Sequence, residues 1–134
     1  APAGILGFAV LGGIFSEGVD LKHEGLIGAI IVGVGLPQIC FERDIIRDYF
    51  NQKNHAGYEY AYLYPGMNKV LQAAGRVIRT ETDHGVIVLI DERFSSPSYR
   101  QLFPREWFPH RRIRNTAELE KALQDFWRLA EPPN

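Results

Sequence analysis

Apolar positions along this chain come in short unbroken runs, separated by longer stretches where they recur every three to four residues. Ile5 to Phe15 is apolar and punctuated by Gly12-Gly13, which predicts a buried strand running into a loop. Residues 16–25 are polar and glycine-bearing and continue that loop. Leu26 to Val34 is an unbroken run rich in Ile and Val, the pattern of a strand covered on both faces, and Gly35-Leu36-Pro37 ends it. From Ile39 to about Lys53, Phe41, Ile45, Ile46, Tyr49 and Phe50 recur at helical spacing and predict a helix. Tyr58 to Tyr64 reads as an aromatic connection, Pro65 to Arg79 as a second helix, and Val86 to Ile90 as a further strand. Pro97, Pro104 and Pro109 make the stretch from Ser95 to His110 mostly loop, with a turn of helix at Tyr99 to Phe103. Asn115 to Ala130 reads as a last helix with Asn115 as its N-cap, Glu118 in capping-box spacing, and an apolar face of Leu119, Leu123, Phe126 and Trp127.

The order strand, strand, helix, helix, strand, helix predicts an α/β fold, a mainly parallel sheet flanked by helices in one domain over residues 1–134. The loop between the first two strands is too short to join parallel neighbours. They therefore sit apart in the sheet or leave room for another strand. An open apolar sheet edge would also favour self-association.

Composition narrows the class. The chain has 134 residues, 46% of them hydrophobic, enough for one core and too apolar for disorder. The longest apolar stretch, Leu26 to Pro37, is broken by Gly28, Gly33 and Gly35 and falls short of the roughly 20 residues a bilayer needs, so no membrane is expected as a partner. The opening APAGILGFAV has no basic segment and is not a signal peptide; it reads as a chain that begins inside a domain. The lone Cys40 makes no internal disulfide and reads as a small core residue in a reducing compartment such as the cytoplasm. His23, His55, His84 and His110 lack metal-ligand spacing, so no metal site is expected. A net charge of −1 gives no argument for nucleic acid. The one basic run, Arg105 and then His110 to Arg114, reads as a solvated loop in preference to a nucleic-acid contact.

The segment richest in chemistry is Asn68 to Arg79. At about 100° per residue, Val70, Leu71, Ala74, Val77 and Ile78 share one face, and Gln72, Arg76 and Arg79 share the opposite one. Gly75 beside them permits close backbone approach. Guanidinium forks match phosphate oxygens and stabilise charge during phosphoryl transfer. A solvated helix face would give the same pattern, so both readings stay open on the residues alone.

Gln72-Ala-Ala-Gly75-Arg76-Val-Ile-Arg79 matches the QxxGRxxR pattern of motif VI in superfamily 2 helicases. Gly13-Ile-Phe-Ser16-Glu17-Gly18-Val19-Asp20 resembles motif V of the DinG/XPD branch, and Asp91-Glu92-Arg93-Phe94 resembles the D-x-R-F that closes this region there. Order and spacing also fit, from Leu6 to Phe94 and more weakly through Arg105-Glu106-Trp107. The resemblance implies the second RecA-like (P-loop NTPase-like) domain of a DinG/XPD-type ATP-dependent DNA helicase, partial and truncated at its N-terminus. It implies that Arg76 and Arg79 act as catalytic arginines on the nucleotide's phosphates. Gln72, Gly75, Gly18 and Asp20 would bind nucleotide, and Ser16 and Glu17 would lie toward the DNA path. ATP and Mg2+ would be used by the parent, with any iron–sulfur cluster elsewhere in it and no cofactor in this segment. The partners would be the first RecA-like domain and single-stranded DNA, travelled 5′ to 3′.

The chain lacks G-x-x-x-x-G-K-[ST]: Gly13 and Gly18 have the glycine spacing, but Val19 follows where lysine is required. The DEAH-type motif, the cluster cysteines and motif IV are also absent, so the segment alone is expected to be inert. Val86 to Glu92 imitates a Walker B strand, but it follows motif VI and no P-loop accompanies it. Gly33-Val-Gly35-Leu-Pro-Gln38 imitates a dinucleotide fingerprint with Gln38 in place of the third glycine. Two rivals remain: a non-enzymatic α/β interaction module, in which the Gln72/Arg76/Arg79 face forms internal salt bridges, and a stand-alone nucleotide binder using Asp91 and Glu92.

Overall fold

The computed structural model describes residues 4–13 and 26–130. They fall into two compact units, Ala1–Arg100 and Gln101–Asn134. In the first, β1 (Gly28–Val32) and β2 (Val86–Ile90) pair in parallel, from Gly28 opposite Val86 to Val32 opposite Ile90. Parallel neighbours need a long crossover. Here it carries α1 (Phe41–Asn54), a π-helical turn (Glu59–Leu63) and α2 (Tyr64–Ala74). The predicted α/β class with a parallel sheet and flanking helices is what forms.

The core lies between α2 and one face of the sheet. Leu63, Met67 and Val70 are fully buried, with Ala61, Ala74, Val77 and Ile31 around them. These positions follow the apolar face expected for the second helix, except that Ile78 is 43% exposed. The expectation of a strand covered on both faces fails for β1. Ile31 points into the core, while Ile30 and Val32 point away and stay exposed among the described residues. α2 packs against only one side of the sheet.

Residues 4–10 form no strand, contrary to expectation. β1 and β2 are the only strands that pair among the described residues. Ile5, Leu6, Phe8 and Val10 are exposed, and a turn closes where the Gly13 amide donates to the Val10 carbonyl at 2.9 Å. An apolar run becomes a strand only where a neighbour takes up its backbone hydrogen bonds.

The aromatic connection is also helical. The Tyr64 amide bonds back to the Glu59 carbonyl, one residue further than in an α-helix. The widened turn comes just before Pro65, which has no N–H to give. It sets Tyr60 flat against Phe50 of α1, centroids 4.0 Å apart, while Arg43 donates to the Ala61 carbonyl at 3.3 Å. α1 therefore packs through Arg43, Ile46 and Phe50, and the Phe41/Ile45/Tyr49 stripe faces outward. Cys40, expected in the core, is exposed. It takes the extended N-cap position of α1, ahead of the packed turns.

After β2 comes a 3₁₀ turn (Glu92–Ser95) and a one-turn helix, α3 (Pro97–Arg100), slightly earlier than the helical turn expected there. In the second unit, a 3₁₀ turn (Arg105–Trp107) precedes α4 (Thr116–Ala130). Asn115 caps α4 through its Oδ1, which accepts from the Glu118 amide at 2.9 Å. Glu118 in turn accepts from the Arg114 amide at 2.8 Å, one residue before the place a strict capping box uses.

Gly57 joins α1 to the π-helical turn under a tight restriction. Its amide donates to Asn51 Oδ1 at 2.9 Å, and a Cβ there would collide with the Arg47 carbonyl and the Asn51 amide. Gly57→Ala should therefore cost about 1–3 kcal/mol, the usual penalty of overpacking. Thermal melting should fall by several degrees, and a variant melting with wild type would show that α1 can shift freely.

Candidate functional site

α2 ends at Ala74, earlier than the expected Arg79. Gly75, a poor helix former, sits at its C-cap, and β-branched Val77 and Ile78 follow. The chain continues through tight turns, the Arg76 amide donating to Ala73 at 3.2 Å and the Val77 amide to Ala74 at 3.1 Å. The shared helical face expected of Gln72, Arg76 and Arg79 is therefore not formed. Gln72 stays exposed on the last turn of α2, half-buried Arg76 lies in the turn that follows, and exposed Arg79 lies beyond it. The three remain within one short segment, but it bends between them.

Two contacts fix that bend. Val77 is buried, and a Cβ on Gly85 would collide with its Cγ1, so the segment is pressed onto the residue that leads into β2. Asp83 then accepts from the amides of both Arg79 and Thr80 at 2.9 Å, closing the loop on the arginine's own backbone. Gly75 needs no unusual backbone angle, its φ being −65°. Among the described residues only the Leu71 and Gln72 carbonyls lie near the place of its missing Cβ, and Gly75 itself is exposed beside Arg76.

Ser16, Glu17, Gly18 and Asp20 lie outside the described residues. The start of their segment is described. Gly12 has φ +80°, a left-handed conformation that glycine tolerates. The stem of Lys69 from α2 lies over it, with Cδ and Cε 3.3 Å from where a Cβ would stand, and also over Gly35. Lys69 thus links the Gly12-Gly13 loop, the end of β1 and α2. The sequence reading missed it, because nothing in the linear pattern joins a helical lysine to glycines so far away.

The Walker B look-alike has a different geometry. Asp91 binds Arg93 in a two-point fork, Nε to Oδ1 and NH2 to Oδ2, both 2.9 Å, and its Oδ1 also accepts the Arg93 amide. Both carboxylate oxygens are committed to one arginine, which suits a structural clasp rather than a metal ligand. Behind it, Phe94 packs edge-on against buried Tyr99, centroids 6.3 Å apart. Burial pushes the Tyr99 phenol up to about 12, and the Tyr58 hydroxyl pushes the same way while standing outside hydrogen-bonding geometry. The D-x-R-F segment is thus a folded corner at the end of β2. Among the described residues no cluster of metal-ligating side chains occurs, and no helix is long and apolar enough to cross a membrane.

A family model described as "Helicase C-terminal domain" matches residues 2–110. The chain is 30% identical over 134 residues to the ATP-dependent DNA helicase CHL1 of Eremothecium gossypii, covering 91% of this chain and 16% of that protein. To the human regulator of telomere elongation helicase 1 it is 30% identical over 133 residues, 92% of this chain and 11% of that protein. To the general transcription and DNA repair factor IIH helicase subunit XPD/RAD3 of Saccharomyces cerevisiae it is 35% identical over 95 residues, 69% of this chain and 12% of that protein. The chain therefore spans well under a fifth of these relatives.

The Asp91–Arg93 clasp carries a pH signature. The Arg93 hydrogen bond holds the Asp91 carboxyl below its ordinary value of 3.8. A depressed carboxylate adds stability above its unfolded pKa and loses it as pH falls through the folded one. Asp91→Asn should therefore melt below wild type at neutral pH, with the deficit shrinking as pH drops below 3.8. A gap of constant size down to strongly acid pH would count against the clasp.

Proposed function

Because the chain belongs to the helicase C-terminal domain family, we propose that it is the second, arginine-bearing motor domain of a DinG/XPD-type ATP-dependent DNA helicase. The observation that carries this reading is the Gln72-to-Arg79 segment, held by Val77 against Gly85 and by Asp83 on the Arg79 backbone. A residue that acts on a transition state needs a fixed backbone more than a helical one.

In this reading ATP is the substrate, bound between this domain and the first RecA-like domain of the same parent. Arg76 and Arg79 reach its phosphates, where planar forks stabilise the charge spread over the transferred group. Gln72 faces the cleft, and the bare backbone at Gly75 lets the nucleotide side approach closely. Gly18 and Asp20 approach the nucleotide from the preceding loop, and Ser16 and Glu17 lie between that loop and single-stranded DNA. Magnesium is held from the first domain, since Asp91 is committed to Arg93. Any iron–sulfur cluster belongs to the rest of the parent. The isolated segment, lacking a P-loop, does not turn over ATP.

In the full-length parent, Arg76→Ala and Arg79→Ala should each lower ATP hydrolysis by about 10³ or more, as loss of a transition-state arginine does. Arg76→Lys and Arg79→Lys should restore little, because lysine keeps the charge and loses the fork. Single-stranded DNA binding without nucleotide should be nearly unchanged. Hydrolysis rates and melting curves for these four variants decide the matter. Near wild-type hydrolysis in the alanine variants would sink the assignment. Lost activity with a collapsed melting temperature in the lysine variants as well would assign the arginines to holding the domain together.

A further inference from the structure

The second unit carries a feature outside the matched residues 2–110. Arg111, Arg112, Ile113 and Arg114 line an open cavity of about 360 Å³ with Glu118 and Lys121 of α4. In the sequence the arginines form a short run with no partner in view. The fold adds Lys121 from the second turn of the helix and curves the run around a common space. A cavity of this size is at the small end of the roughly 300–1,000 Å³ range of ligand sites. It fits one sugar-phosphate better than a folded partner.

The acidic groups present are partly engaged. Glu118 holds the Arg114 amide at 2.8 Å, at the start of α4. Asp125 meets Arg111 only at 3.9 Å, with the Arg111 side chain 66% exposed. Arg111, Arg112, Arg114 and Lys121 are all solvent-exposed, and basic side chains outnumber acidic ones between residues 101 and 130. The cavity is therefore positive and open, and its entry segment is fixed by the helix cap.

Immediately upstream stands a group of rings. Phe108 packs on His110 with centroids 5.1 Å apart, and Phe103 packs on both and on Trp107. Phe108 and His110 are exposed. Ring faces beside a positive groove take up unstacked bases while arginines take the backbone phosphates. An acidic peptide would use the charges and leave the rings idle. A duplex keeps its bases stacked inside and would not reach them.

We propose that Arg111, Arg112 and Lys121 form a phosphate-binding cluster for single-stranded DNA, with Phe108 and His110 as the stacking platform beside it. The choice of DNA rests on the helicase reading; the chemistry of the cluster does not. A strand held here lies on a surface that the motif-bearing residues do not supply.

The test uses this 134-residue chain and a short fluorescein-labelled oligothymidylate, read by anisotropy over a range of salt concentrations. Changing Arg111, Arg112 and Lys121 together to Gln should weaken binding at least tenfold. Losing three phosphate contacts should also make the salt dependence shallower by about 2 on a log–log slope. Phe108→Ala should weaken binding while leaving that slope unchanged. Arg47→Gln, on α1 in the first unit, should change neither. Polyglutamate at matched charge should displace the oligonucleotide poorly. Wild-type affinity in the triple variant, or no binding by the unaltered chain, would overturn the proposal. Equal displacement by polyglutamate would also overturn it and assign the surface to an acidic protein. No hydrolysis enters these measurements, so failure here leaves the ATP-site reading standing, and failure there leaves this cluster standing.

Discussion

The packing of α2 on β1 decides where everything else in the first unit can go. Leu63, Met67 and Val70 fill the space above Ile31, and they are the largest fully buried side chains among the described residues. That contact fixes the axis of α2 against the sheet. The helix must then end near the start of β2, because the parallel register of Gly28 with Val86 leaves only residues 75–85 to make the return. The arginine-bearing segment is this return. Its position is thus set by core packing at one end and strand pairing at the other, and its own side chains do little of that work. The buried side chain it contributes is Val77, lodged where Gly85 has no Cβ.

This arrangement explains which parts of the fold were legible in the sequence. β2 was, to the residue, because a short apolar run bounded by Gly85 and Asp91 has few alternatives. α4 was also, because Asn115 and Glu118 mark its start by direct hydrogen bonds. The C-terminal end of α2 was not. Periodicity continues through Val77, whose apolar side chain packs against Gly85 on the approach to β2, and through Ile78, which stays exposed. The backbone meanwhile leaves the helix at Gly75. A helical wheel cannot separate an apolar residue packed by a helix from one packed by the turn after it. Residues 4–10 and Cys40 were misread for a related reason. Hydrophobicity states a preference for burial, and whether burial occurs depends on partners elsewhere.

The candidate site divides in the same way. The family was readable because the residues of motif VI adjoin in sequence, and a helicase C-terminal family model matches residues 2–110. The structure adds groups that are close only in space. Lys69 reaches over Gly12 and Gly35, and Asp83 ties down the Arg79 backbone. Asp91, which in sequence resembles a metal-binding carboxylate, turns out to hold Arg93 in a fork. In that case the apparent motif and the observed bond share the same residues, and only the bond says what the carboxylate does.

A basic run of mixed composition looks solvated in sequence because repulsion between neighbouring arginines is least in water. The same run looks different once the chain curves. Arg111, Arg112 and Arg114 line one cavity with Lys121 and with Glu118, one carboxylate oxygen of which serves the helix cap. Basic groups facing a common space all attract an anion bound there. The cap that starts α4 also holds the Arg114 backbone in place. The attraction is weakened at an exposed surface and by salt. It nevertheless has one sign, and it favours a phosphate over any neutral or basic ligand.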